Sequence, residues 1–379
     1  MRRIVPGFLL AIALVPTTAS AARSQEPALH VAIGWGVDTV AAPNHEIFAL
    51  WRAYLSDHPE RPHPNPYWSP REQAAWPEFD LTRQAHQGFP KITVVQLAPA
   101  PGADSTWVIR TLAAGVYDSA QDVKPLALYR VVARREAGRW VLANALPYAT
   151  RSWKRDTVGH VVFVYPPAHR FDRAAARTSA ARVDSLAHLF GVPLPDGIGY
   201  YVADEVDDML RARGFDYFPT GADTISGVSL PADRLVFTAG AGERHAHELA
   251  HVVLAPLMSG RRTSGPVAEG LVTWAAGSVG LSYRELLPGL RSYVEAHPAL
   301  TLRGLLEDPP LREGTVDPGY DGIAVLFQLV YEKQGVPAVR ALASAGVAPD
   351  DILSAAARLL GIEPGDLDAA WRRSVLGSR

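Results

Sequence analysis

Cysteine is missing from this sequence. None of the 379 residues is a cysteine, so the chain can form no disulfide bond and offers no thiolate to a metal. A cysteine nucleophile is excluded for the same reason, and the Gly-x-Ser-x-Gly pattern of many serine hydrolases does not occur. Stability must come from packing, and any zinc site must be built from His, Asp and Glu.

An excess of charge of one sign and long apolar runs are also missing. The 37 basic and 39 acidic residues give a formal charge of -2, which provides no basic surface for nucleic acid. The composition, 48% apolar and 20% charged, is that of a globular protein, and the length suits two domains. We therefore expect folded partners or small substrates, and no nucleic acid.

Residues 1–22 have the layout of a secretory signal peptide. Two arginines precede the short apolar run 8–15, and small residues follow at 19–21. We predict cleavage after Ala21 or Ala22 and hence an exported protein, periplasmic or extracellular, with no stable membrane insertion afterwards. A permanent membrane anchor is the alternative, but the apolar run is too short to span a bilayer.

Residues 27–148 predict a small α+β domain. Asn44 is suited to cap a helix with one apolar face, and about four antiparallel strands follow, with a hairpin turn at 136–138. Between them, the proline-rich segment 58–73 is interpreted as an irregular loop. In outline the region resembles NTF2-like or cystatin-like domains. Three roles stay open: a binding pocket, a propeptide-like cover, or packing mass.

The second predicted domain covers residues 158–379. Strand-like segments alternate with helices that end at Gly191 and Gly214, and the remaining hundred or so residues have mostly helical spacing. The predicted strands are 160–167, 197–204 and 232–240. The fold class is therefore α+β: a helix with an antiparallel sheet, then a mixed sheet followed by a mostly helical region.

A complete His-Glu-x-x-His motif occupies residues 247–251. Residues four apart share one face of a helix, so His247 and His251 can reach one metal ion, while Glu248 lies beside an open coordination position. Apolar residues after the motif support a helix, and Pro256 is expected to limit its extent.

A third ligand is predicted at Glu269, eighteen residues past His251. Pro266 suits the first turn of a second helix that carries this glutamate among apolar neighbours. An ionised carboxylate without a partner in such surroundings would cost several kcal/mol, so a metal partner is favoured. His247, His251 and Glu269 would make a zinc site whose fourth position is left for water.

This combination resembles the gluzincin metallopeptidases, the peptidase MA-like clan of thermolysin-like enzymes and zinc aminopeptidases. The resemblance covers roughly 158–379 and is carried by the motif at 247–251, the Ala-Glu-Gly tripeptide at 268–270 and the segment 320–335. It implies zinc, Zn²⁺, bound by the three ligands named above, and Glu248 as the general base for metal-activated water.

The same resemblance implies a donor to the oxyanion, and Tyr320 is the best positional candidate. Three further residues compete for that role: Tyr331, Tyr293 and His297. His245 is expected to face another side of the helix, as a surface or second-shell residue rather than a ligand. The segment 231–239 is either an edge strand able to pair with substrate backbone or an ordinary sheet strand.

Two departures from the clan's pattern are visible. Ala268 stands where the aminopeptidase branch usually has asparagine, and 236–244 lacks that branch's upstream acidic motif, so aminopeptidase specificity is not expected. Thr273 replaces the acid that orients a histidine in thermolysin-like members. The group that orients the ligands must therefore come from elsewhere.

The sequence thus predicts an exported zinc metallopeptidase that acts on a peptide or protein substrate. The alternative is a zinc-stabilised, non-catalytic envelope binding or scaffold protein. The intact Glu248 favours catalysis, because a purely structural zinc site does not need a base.

Overall fold

A computed structural model describes most of the chain and divides it into two compact units. The described residues are 30–56, 64–80, 91–103, 105–117, 122–219, 225–258 and 263–377, so the predicted signal peptide lies outside them. The first unit contains the described residues up to Lys154 together with 165–168 and 203–224, and the second contains 155–164, 169–202 and the described residues from Ile225 onwards.

Helices and strands both contribute substantially, which confirms the α+β class. The helices are α1 (Asn44–Ser56), α2 (Pro70–Ala75), α3 (Leu146–Ala149), α4 (Arg173–Phe190), α5 (Val206–Arg213), α6 (Ala246–Met258), α7 (Gly265–Ala276), α8 (Tyr283–Ala296), α9 (Leu302–Glu307), α10 (Pro318–Gln334), α11 (Val336–Ala343), α12 (Pro349–Leu360) and α13 (Leu367–Leu376). The strands are β1 (Val31–Ile33), β2 (Lys91–Pro99), β3 (Thr106–Tyr117), β4 (Asp122–Glu136), β5 (Arg139–Asn144), β6 (Lys154–Val158), β7 (Val161–Tyr165), β8 (Ile198–Ala203), β9 (Phe215–Tyr217), β10 (Ser226–Leu230) and β11 (Leu235–Ala239).

The first unit is built on a sheet in the order β1-β2-β3-β4-β5. Strands β2 to β5 are antiparallel, and β1 is parallel to β2. The predicted hairpin joins β4 to β5: Glu136 pairs with Arg139, and both Ala137 and Gly138 have positive φ. Such a two-residue turn matches the right-handed twist of the strands it joins.

The unit also differs from the predicted domain at two places. Residues 203–224, assigned to the second domain from the sequence, belong to the first unit, where β9 pairs with β4. The end of the predicted loop 58–73 is helical, because Pro70 begins α2 and the Ser69 side chain accepts a hydrogen bond from the Glu72 backbone N–H. The resemblance to NTF2-like or cystatin-like domains stays a prediction.

The second unit begins with a mixed sheet in the order β10-β11-β8-β7-β6. Strands β7 and β8 are parallel and are joined by α4, whereas β10 and β11 are antiparallel. The Asp172 side chain caps the start of α4, and Gly191 ends it in the left-handed conformation. The predicted strands 160–167, 197–204 and 232–240 correspond to β7, β8 and β11.

The edge-strand interpretation of residues 231–239 is wrong. Strand β11 lies between β10 and β8, and all five of its residues are buried. An apolar run such as Leu-Val-Phe-Thr-Ala is suited to an interior strand that is covered on both faces. In the described part of the chain the edge beside β11 is β10, and the opposite edge is β6. The residues of β10 are all half-buried, and its Ser-Gly-Val-Ser-Leu sequence carries little strand signal.

Helices α6 to α13 complete the second unit, with α10 at its centre. The residues from Asp321 to Phe327 are buried without interruption, and the Trp371 indole on α13 donates a hydrogen bond to the Gly322 carbonyl at 2.9 Å. This burial explains why the sequence from Ile323 to Phe327 is continuously apolar. Throughout the described residues, each helix is either too short or too polar to traverse a lipid bilayer.

Candidate metal centre

Helix α6 presents its two histidines on one face, as the motif predicts. The apolar residues Leu249, Val252 and Val253 are buried and hold the helix against the second unit's core. The helix extends to Met258, so Pro256 lies in its last turn and the helix ends two residues after it. The two imidazole rings lie 4.9 Å apart between centroids, inclined at 74°.

Glu269 on α7 completes a group of three converging side chains. Its Oε2 lies 3.1 Å from His247 Nε2 and 3.3 Å from His251 Nε2, and the two ring nitrogens are 3.2 Å apart. Ligands about 2.0–2.1 Å from a tetrahedral zinc ion are separated from one another by about 3.3 Å. The three side chains form a candidate zinc site. Within the described residues, no other group of His, Asp and Glu side chains has this convergence.

The orientation of His247 is set by a backbone carbonyl. Its Nδ1–H donates to the Gly277 carbonyl at 2.7 Å, so Nε2 is the ring nitrogen that faces the other two ligands. Gly277 has a φ of +80°, and a Cβ there would lie 1.9 Å from the Leu281 carbonyl oxygen, so only glycine fits. The group that orients His247 is thus a backbone carbonyl rather than a side chain.

The electrostatics of the three side chains suit a cation. Although burial alone would raise the pKa of Glu269, hydrogen bonds with His247 and His251 lower it below its usual value. Burial opposes the charged form of His247, but the hydrogen bond with Glu269 raises its pKa overall. Glu269 is therefore ionised at neutral pH and supplies negative charge where a divalent ion would bind.

Glu248 lies next to this group in a confined place under strand β10. Burial raises the pKa of its carboxyl group, while the positive character of His247 and His251 acts in the opposite direction. A Cβ on Gly227 of β10 would lie 2.5 Å from Glu248 Oε1 and 2.5 Å from His245 Cε1. The strand can cross the carboxylate this closely only because Gly227 has no side chain.

Gly227→Ala is therefore expected to displace Glu248. We expect a loss of about 1–3 kcal/mol in the free energy of unfolding, from overpacking. Because misplacement of a catalytic group by about 1 Å costs about 10²-fold, any Glu248-dependent activity should fall by about 10–100-fold. Chemical denaturation and kinetics of the variant measure the two effects.

Gly365→Ala is the matched control, since a Cβ at that glycine meets nothing within 4 Å. If Gly227→Ala is as stable and as active as this control, the close approach of β10 to Glu248 is contradicted.

His245 is buried, which excludes the surface position of the two that the sequence left open and leaves a place behind the ligands. Its Nδ1 lies 3.0 Å from the Thr238 hydroxyl, its backbone N–H donates to the Tyr200 hydroxyl at 3.2 Å, and its Nε2 is 3.9 Å from Glu248 Oε1. Burial lowers the pKa of His245 to about 3, so its ring is neutral. His245 is not one of the three converging ligands and lies on the Glu248 side of the site.

Tyr320 is the candidate oxyanion donor that the structure places beside the ligands. Its ring is parallel to the His247 ring, with 6.3 Å between centroids and an interplanar angle of 5°. Burial, followed by the negative charge of Glu269, raises the pKa of its hydroxyl, which therefore keeps its proton at neutral pH. Among the described residues, that hydroxyl has no hydrogen-bond partner.

The three competing residues have other surroundings. Tyr331 is 37% exposed and packs against Trp274, with ring centroids 5.2 Å apart. Tyr293 and His297 stack on each other on α8 at 4.0 Å, and the His297 ring contacts the Tyr293 carbonyl through Nδ1. None of these contacts involves a residue of the candidate site.

Arg312, in the segment before α10, contributes a positive charge near Tyr320. Its guanidinium carbon is 6.0 Å from the centroid of the Tyr320 ring, and its Nη2 is 3.4 Å from Asp317 Oδ2. The charge also contributes to the low pKa of His245, after burial and His247. Arg312 belongs to no recognisable sequence motif, so its proximity to Tyr320 is known only from the structure.

Comparisons with known proteins add little at this similarity. No protein-family model and no curated protein matches the chain. An M1 zinc metallopeptidase from Deinococcus radiodurans aligns at 14% identity and a TM-score of 0.34, over 75% of this chain and 63% of that one. A mutant of an M1 zinc metallopeptidase from the same organism, bound to a Tyr-Ser-Ala substrate, aligns at 13% and 0.35, over 76% and 64%. The chain thus spans less than two thirds of these structures, and the values are too low to assign a family.

Proposed function

We propose that the protein is a zinc-dependent peptide hydrolase. The observation that carries the proposal is the convergence of His247, His251 and Glu269 at 3.1–3.3 Å with the buried carboxylate of Glu248 next to them. When bound there, zinc would polarise a substrate carbonyl and lower the pKa of a coordinated water towards about 7. The signal-like residues 1–22 extend the proposal to an exported protein.

Glu248 is assigned the proton transfers. Its carboxylate accepts a proton from the attacking water and returns it to the nitrogen of the leaving amine. Burial raises the pKa of this carboxyl group in the metal-free protein. A bound zinc ion would act in the opposite direction. No covalent acyl-enzyme is needed for this sequence of events.

Tyr320 is assigned the stabilisation of the developing oxyanion. Its hydroxyl remains protonated because burial raises its pKa, and it lies on the His247 side of the metal ligands. A fixed donor of this kind stabilises charge that forms only in the transition state.

Strand β10 is the surface proposed to hold the substrate backbone. It is one of the two edge strands of its sheet in the described residues, and Gly227 brings its backbone against Glu248. An extended peptide that pairs with the free edge of β10 would carry its own carbonyl groups past the proposed base. Recognition through the main chain favours an enzyme with broad tolerance of side chains.

The alternative is a zinc-stabilised, non-catalytic binding or scaffold protein. The observation in its favour is Thr273, whose buried hydroxyl has no partner in the described residues. The thermolysin-like enzymes that the motif resembles have an acid at that place. A site that only holds zinc would tolerate this loss more easily than a site tuned for catalysis.

Metal content and cleavage of a mixed peptide library distinguish the two functions. We expect the purified protein to contain about one zinc ion per chain, since three protein ligands define a single site. Cleavage should stop when a chelator removes the zinc and resume when zinc is restored. Elemental analysis and mass spectrometry of the library provide the measurements.

Zinc without any cleavage of the library would favour the scaffold function. A protein that neither retains nor rebinds zinc would contradict both functions.

A further inference from the structure

Arg312 lies near Tyr320, the proposed oxyanion donor. Its guanidinium carbon is 6.0 Å from the centroid of the Tyr320 ring, and that centroid is 6.3 Å from the centroid of the His247 ring. The Arg312 side chain is 33% exposed, so solutes can reach it. Even if both contacts were in line, about four residues of extended peptide would span the distance.

Among the described residues, the pairing of Arg312 with Asp317 leaves most of the guanidinium N–H donors free. Both Nε and Nη2 approach the same oxygen, Asp317 Oδ2, at 3.4 Å, which is long for a charge-assisted hydrogen bond. The other oxygen of Asp317 accepts the Tyr320 backbone N–H at 3.0 Å and caps α10. Asp317 therefore restrains the guanidinium without forming a bidentate pair of hydrogen bonds with it.

A partly exposed guanidinium with free donors is suited to a planar anion. Arginine binds a carboxylate through two parallel N–H···O bonds, and that geometry is not used by Asp317 here. A substrate amine would instead need a carboxylate. Glu248 and Glu269 are already assigned to the base and the metal, Asp317 pairs with Arg312, and Asp321 accepts the Asp317 backbone N–H.

We propose that Arg312 binds a carboxylate group of the substrate, within about four residues of the scissile bond. The inference rests on the proposed peptidase function and specifies its substrate class. The carboxylate has two possible sources, the free C-terminus of a peptide or the side chain of an internal Asp or Glu. The first corresponds to removal of short C-terminal fragments, and the second to cleavage inside a chain next to an acidic residue.

Three matched peptides separate these sources. The first has a free C-terminal carboxylate and a neutral sequence, the second is its C-terminal amide, and the third is the amide with one glutamate near the scissile bond. Affinity for each peptide is measured by calorimetry on the zinc-loaded Glu248→Gln protein, which leaves the peptide intact. Cleavage by the protein with Glu248 is measured in parallel as kcat and KM.

We expect the peptide with the appropriate carboxylate to bind about ten- to a hundredfold more tightly than the neutral amide. Arg312→Gln should remove this preference and leave affinity for the amide unchanged, with the effect in KM rather than kcat. Arg312→Lys, which keeps the charge but loses the paired donors, should retain part of the preference. The matched control is Arg303→Gln, at an exposed arginine on α9 that pairs with Glu307 and Asp350.

Equal affinity of the starting protein for acid and amide peptides overturns the proposal, and so does an undiminished preference in Arg312→Gln. Melting temperatures of the variants show that each is folded. If acid peptides bind preferentially but no peptide is cleaved, the carboxylate site stands and the proposed hydrolase function fails.

Discussion

Glu248→Gln is expected to lower peptide hydrolysis by about 10²–10⁴-fold, the usual contribution of a positioned general base. Glutamine has nearly the same shape as glutamate, so it fits beneath Gly227, but its amide cannot accept the proton of the attacking water. The zinc ligands are untouched, so the variant should retain its metal. Kinetics with a peptide from the library and elemental analysis of the same sample measure both properties.

Glu295→Gln, at an exposed position on α8, removes one carboxylate elsewhere and serves as the control. If Glu248→Gln retains both its zinc and its hydrolysis rate, the proposed role of this residue is wrong. Loss of zinc together with activity would mean that Glu248 helps to hold the metal rather than acting as a base.

Tyr320→Phe should lower kcat by about 10²–10³-fold, the usual effect of removing one oxyanion donor. KM should change little, because the hydroxyl interacts mainly with charge that develops in the transition state. The phenylalanine ring preserves the parallel contact with His247, so zinc content and melting temperature should stay near those of the unmodified protein. Steady-state kinetics with one peptide substrate give the two constants separately.

Tyr331→Phe is a close control because it removes the same hydroxyl from the same helix, α10, at an exposed position. Equal rates for the two variants would exclude Tyr320 as the oxyanion donor and reopen the search among neighbouring groups.

The local elements of the site follow from the sequence. The spacing of His247 and His251, with apolar residues behind them, is sufficient to predict a helix with both rings on one face. Pro266 likewise predicts the start of α7, because proline is favoured in the first turn of a helix. Ser264, which precedes this helix, accepts a hydrogen bond from the Val267 N–H. These features depend on contacts within one helix, which nearby residues control.

The convergence of Glu269 with the two histidines was predicted on different grounds. Glu269 is a carboxylate among apolar neighbours, so it needs a charged partner, and a metal held by His247 and His251 would be one. The prediction therefore depends on chemistry and resemblance rather than on helix geometry. The distances of 3.1 and 3.3 Å confirm the convergence. Binding of zinc there stays a proposal.

Several parts of the site depend on contacts that sequence spacing does not encode. The order of the strands, which makes β10 the edge and buries β11, depends on pairing between distant segments. The Gly277 carbonyl reaches His247 from thirty residues away, and a backbone group carries no residue-type signal. Nothing in the sequence around Gly227 distinguishes it from other glycines. Its role becomes apparent only from the close contact of β10 with Glu248.

By itself the sequence determined the α+β class, the metal-binding motif and the residue types that a zinc site without cysteine requires. Only the tertiary structure decided which strand borders the base, which group orients His247, and that Arg312 lies near Tyr320. The physical reason is that helix phase and capping are set by neighbours within a few residues, whereas sheet order and close approaches are set by packing between segments far apart in the chain.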